Sequence, residues 1–146
     1  MSDTFSLLPS VHISATGLEA ENVRMEVAAN NAANAQTTHG ADGKPFRRKE
    51  VVFAAELQHA LNGKPASAND LGGVRVQAIV DDKRPDERVF RPGHPDADAD
   101  GYVSMPNVNP VEEMVNMMSA TRAYDANLAA IKNATEMARK ALEIGK

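Results

Sequence analysis

A chain of 146 residues is long enough for one compact unit, but four Phe, two Tyr and no Trp leave Ala, Val and Met to do the packing, which suits close helix contacts better than a thick core. The net charge of -4 is mild, and Lys and Arg are dispersed apart from Arg47, Arg48 and Lys49, so the basic footprint of a nucleic-acid binder is absent. The lack of cysteine excludes disulfides and thiolate metal sites, and no apolar run approaches the ~20 residues of a membrane span.

The first helix is predicted over residues 6–35. Ser6 offers an N-cap hydroxyl, and Pro9 falls in the first turn, where its missing N–H costs nothing. Leu8, Val11, Ala15, Leu18, Asn22, Met25, Ala29 and Ala32 recur at spacings of three and four, with Asn22 the one polar member, a residue type that can fix register. Residues 1–10 carry an acid and no base where a secretory signal needs positive charge, so export is expected without a cleaved signal peptide.

Most of the Gly and Pro lie in residues 36–109, and the helical period vanishes there. Residues 37–43 read as a loop, 46–53 as a strand and 54–61 as a short helical turn. Val74, Val76, Ala78 and Val80 alternate with Arg75, Gln77 and Ile79, a half-buried strand. Residues 87–90 are its expected partner, across a turn at 81–85.

The second helix has the clearest start. Asn109 is an N-cap, Pro110 falls at N1 and Glu112 at N3, a capping-box arrangement, and Glu113 adds an acid against the helix dipole. The helix should run to about Ile144, where Gly145 ends it. Its stripe is Met114, Met117, Thr121, Tyr124, Leu128, Ile131, Thr135, Ala138 and Leu142. The predicted fold is mainly α: terminal helices of about 45–50 Å at ~1.5 Å per residue, packed as an antiparallel coiled coil and carrying a small β-rich insert. The expected division is residues 1–35 and 110–146 for the helices and 36–109 for the insert. Because the stripes occupy most of each helix, neighbouring subunits are expected to cover them as an assembly interface.

Few residues suggest chemistry. Asp96, Asp98, Asp100 and Gly101 match the first half of a calcium-binding EF-hand loop, but position 12, which needs a bidentate Glu, is Asn107, and Pro106 sits where the exiting helix should form. An acidic turn without calcium is expected. His12, His39, His59 and His94 show no i, i+3 or i, i+4 pairing for a metal, and the one local pair, His94 near Asp96, reads as loop polarity. No nucleophile elbow or phosphate-cradling loop is present, so neither an enzyme nor a cofactor or small-molecule substrate is expected. The Arg47, Arg48, Lys49 run reads as a solvated strand edge.

Three segments resemble a known family. ISATGLEAENVRMEVAANNAANAQT (residues 13–37), KPFRRKEVVF (44–53) and HPDADADGYVSMPNVNPVEEMVNMMSATRA (94–123) are similar to bacterial flagellar rod and hook proteins. Residue by residue, the match takes in Gly17, Leu18, Met25, Asn31, Asn34 and Ala35, then Gly101, Tyr102, Pro106, Asn107, Val108, Asn109, Glu112, Glu113, Met114, Ala123 and Tyr124, in turn, cap and seam roles. The resemblance implies a structural subunit of the proximal basal-body rod, exported unfolded through the flagellar type III apparatus into a periplasmic helical tube that transmits torque and forms part of the export channel. Its implied partners are copies of itself, other rod subunits, the export apparatus and the surrounding ring proteins. Two alternatives stand at this point: another axial protein of distal-rod or hook type, and a soluble helical export adaptor or chaperone.

Overall fold

The computed structural model describes residues 9–40, 42–57 and 71–144. Helix α1 spans Pro9–Ala33, strands β1 Lys49–Leu57, β2 Leu71–Asp81, β3 Glu87–Phe90 and β4 Tyr102–Met105 follow, and helix α2 covers Pro110–Ile144. The strands make two two-stranded sheets, β1 with β2 and β3 with β4. Two terminal helices with a small β insert are therefore the architecture.

The chain divides into two compact units, one of Met1–Val23, Phe53–Gln77 and Ala120–Lys146, the other of Arg24–Val52 and Ala78–Ser119. In the first, Ser14, Ala20, Ala120 and Ala134 are buried. Small side chains let backbones approach closely: a Cβ on Gly17 would lie 2.8 Å from Nδ2 of Asn127. β2 is tied to α1 through Thr16, whose hydroxyl donates to the Ile13 carbonyl (2.8 Å) and accepts the Val74 N–H (3.1 Å). A cavity of about 470 Å³ lies in this unit, lined by Ile13, Ala20, Phe53, Ala55 and Val74 among others.

In the second unit, β3 and β4 are antiparallel, with Glu87 opposite Met105 and Phe90 opposite Tyr102. This ribbon buries Val103 completely, and Pro106, Ala28 and Ala35 are buried in the same unit. α1 ends where Asn34 turns its side-chain amide back to the Asn30 carbonyl (2.9 Å), in competition with the helical ladder. The following loop closes through Phe46 N–H to the Thr37 carbonyl (3.0 Å) and Gly40 N–H to the Lys44 carbonyl (2.8 Å), with Gly43 at φ +71. α2 begins as its sequence indicates, Asn109 Oδ1 accepting the Val111 N–H at 3.0 Å.

Three local expectations change. Residues 54–57 continue β1 instead of starting a helical turn, because strand pairing with β2 overrides the helix preference of the Ala pair; residues 58–61 lie outside the described ones. β2 pairs with β1, not with residues 87–90, which find their partner in β4. The Asp82 carboxylate accepts the Arg84 N–H (2.9 Å), so the turn expected at 81–85 is present but joins two separate sheets. The Ser6 cap, Leu8 and the Gly145 stop lie outside the described residues.

Gly73 supplies the close approach of β2 to α1. Its φ is +138, and a Cβ there would run into the Thr16 side chain. Gly73→Ala should therefore cost about 1–3 kcal/mol from backbone strain alone, whereas Gly17→Ala meets only the swinging end of Asn127 and should cost less. Urea unfolding of the two purified variants, read by helicity, compares them.

Candidate assembly site

Among the described residues, the two most deeply buried polar side chains are Asn31 near the end of α1 and Glu113 in the first turn of α2. Glu113 is 1% exposed and each carboxylate oxygen has a partner. Oε1 accepts Arg48 Nε at 2.7 Å, and Oε2 accepts Asn31 Nδ2 at 3.1 Å. Arg48, 14% exposed, also places Nη1 3.4 Å from Asp82. Burial alone lowers the Arg48 pKa, but the hydrogen bond to Glu113 and the charges of Glu113, Asp82 and Glu50 together outweigh it, so the guanidinium is held above its usual value.

Two asparagines complete this network. Asn31 accepts the Lys49 N–H on Oδ1 (2.9 Å) and donates from Nδ2 to the Lys49 carbonyl (2.8 Å), so one side-chain amide answers both backbone groups of a strand residue as a neighbouring strand would. Asn107 accepts the Arg48 N–H (3.0 Å) and donates to the Arg84 carbonyl (3.2 Å). The Arg48 carbonyl accepts the Asp82 N–H (2.8 Å). Five chain segments meet here, and every connection is directional.

The connection from β3 to β4 is organised by Asp98. Its Oδ1 accepts the N–H groups of Tyr102 (2.8 Å) and Asp100 (3.0 Å), and its Oδ2 pairs with Arg88. The Tyr102 N–H first, then Arg88 and the Asp100 N–H, hold its pKa below the usual 3.8 against the opposing effect of desolvation. Asp98 therefore directs its oxygens inward to the turn. Asp96 accepts the Thr38 hydroxyl (2.7 Å), with His39 Nδ1 at 3.7 Å and His94 Nδ1 at 3.8 Å. Among the described residues no group of His, Asp and Glu is placed to hold a metal ion, and no helix is long and apolar enough to cross a membrane.

Both helical stripes are displaced from the line of closest packing by one residue. On α1, Ser14, Gly17, Ala28 and Asn31 each precede a stripe member: Ala15, Leu18, Ala29 and Ala32. On α2, Glu113, Ala120, Asn127 and Ala134 precede Met114, Thr121, Leu128 and Thr135 in the same way. Val11, Leu18, Met25, Ala32, Met117, Tyr124, Leu128, Ile131 and Ala138 are half-buried, while Ala15, Asn22, Ala29, Met114, Thr121, Thr135 and Leu142 are exposed. The stripes thus flank the inner lines and leave apolar surface open. Pro110 occupies the first position of α2, and the Glu112 carboxylate faces Arg84 at 3.9 Å.

Residue comparison places this architecture. Over 140 residues the chain is 44% identical to the flagellar basal-body rod protein FlgC of Yersinia enterocolitica, covering 96% of this chain and 98% of the relative. The chain belongs to the FlgC family of flagellar basal-body rod proteins. The FlgC proteins of Borreliella burgdorferi, 42% identical over 147 residues, and Bacillus subtilis, 40% identical over 145, each match across 94% of this chain and 97% of their own length. A family model described as flagellar basal body rod FlgEFG protein C-terminal matches residues 99–144, taking in β4, the Glu113 turn and all of α2.

Sequence reading placed Glu113 at the helix dipole and missed its network with Arg48, Asp82, Asn31 and Asn107. The signal lay in the heptad spacing of Glu113, Ala120, Asn127 and Ala134, visible only if small and polar residues are admitted to a seam. Arg48→Ala should destabilise by about 3–5 kcal/mol because it leaves a buried carboxylate uncompensated, whereas the double variant Arg48→Met/Glu113→Leu should cost far less. Chemical unfolding of the two variants tests the asymmetry.

Acid acts through the turns. The Arg84 N–H, opposed by burial and aided by the Arg84 side chain and the charges of Arg84 and Arg48, holds the Asp82 pKa below 3.8, as Asp98 is held below it. For both groups the unfolded chain takes up the proton first as pH falls. Their stabilisation is complete above about pH 5 and is lost as pH drops through the depressed folded values. The urea midpoint should fall below about pH 4, and Asp82→Asn should flatten part of that fall.

Proposed function

We propose that this chain is a structural subunit of the proximal rod of the flagellar basal body, assembled in the periplasm with copies of itself and other rod subunits. The observation that carries the reading is the match to FlgC proteins over nearly the whole of both chains, β insert included. The free chain also leaves apolar side chains beside its packed helix lines, a surface that a solitary soluble protein keeps small.

Antiparallel packing of α1 and α2 in a coiled coil is part of the proposal. Gly17 meets Asn127 and Asn31 bonds Glu113. Fourteen residues forward on α1 thus correspond to fourteen back on α2, the relation an antiparallel register requires. In the assembled rod the stripe residues from Val11 to Ala32 and from Met114 to Leu142 are the surface for neighbouring subunits. Repeated contacts that do not close a ring build an open helical tube, which can carry torque and enclose the export path. Export apparatus and ring proteins are the expected wider partners.

The test is Leu128→Asp. Leu128 is half-buried on the flank of α2, and burial of such a side chain contributes about 1.5–3 kcal/mol, which an unpaired carboxylate replaces with a cost. The variant should be secreted at normal levels while rods stop short and cells do not swim. Asp125→Ala, exposed on the same helix, should be far milder. Normal motility with Leu128→Asp protein present in purified basal bodies would remove the stripe from the interface.

A further inference from the structure

We draw no further inference here: the strongest candidate, the cavity of about 660 Å³ between the 37–47 loop, the start of β1 and the end of β2, where Asp86 Oδ1 is buried without a hydrogen-bond donor among the described residues, carries nothing, since Arg47 Nη2 already stands 3.7 Å from that oxygen and a lining of Asp42, Asp81 and Asp86 against Lys44, Arg47 and Lys49 selects no one class of ligand.

Discussion

The buried carboxylate of Glu113 is the constraint around which the second unit is arranged. A charge taken out of water must be matched by opposite charge and by donors aimed at its lone pairs, or the fold gives up several kcal/mol. Arg48 and Asn31 provide that match. Arg48 in turn needs Asp82 and the loop that carries it, and its backbone N–H needs Asn107. The start of α2, the end of α1 and the first residues of β1 are thereby committed to one another by bonds that work at one geometry only. A patch of leucines would tolerate sliding; this network does not.

Elsewhere the structure saves space. Ala20, Ala28, Ala120 and Ala134 are the buried apolar residues of α1 and α2, and a Cβ on Gly17 would meet Asn127, so little apolar volume is enclosed there. Larger residues such as Leu18, Met25 and Leu128 are pushed to the flanks and remain half-buried. A subunit arranged in this way holds its own shape through small residues and polar bonds, and leaves its bulky apolar side chains partly exposed. That division of labour fits a protein whose final environment is a lattice.

Much of this was legible in the residue pattern. The start of α2 could be read from Asn109 and Pro110, because capping is local chemistry and survives any tertiary context. The turn at Asp98 was legible as a turn, since Gly101 and the spaced acids belong to one short segment. The strand pairing was not: β4 has four residues within a stretch rich in Gly, Pro and Asp, too short for a period to register. Nor was the inner line of each helix, because a reading that weights large apolar side chains selects Met114 over Glu113 and Leu18 over Gly17. Both errors place the helix face one residue, about 100°, from where the packing puts it. The role of Asn31 was hidden for a different reason. Its partners, Lys49 and Glu113, lie 18 and 82 residues away, and nothing local announces them.

The grip of Asn31 on Lys49 separates the placement of β1 from the length of the loop before it. A ladder between two strands counts residues, so a length change in the connecting loop shifts every pair after it. Here a helix side chain grasps one chosen residue of the strand by both its backbone groups, and the loop in between takes no part in the counting. Insertions or deletions between residues 37 and 44 can then be absorbed by the loop itself, while β1 keeps its alignment against the helix. The loop can change length without moving β1, whereas replacing Asn31 removes both of its bonds to Lys49.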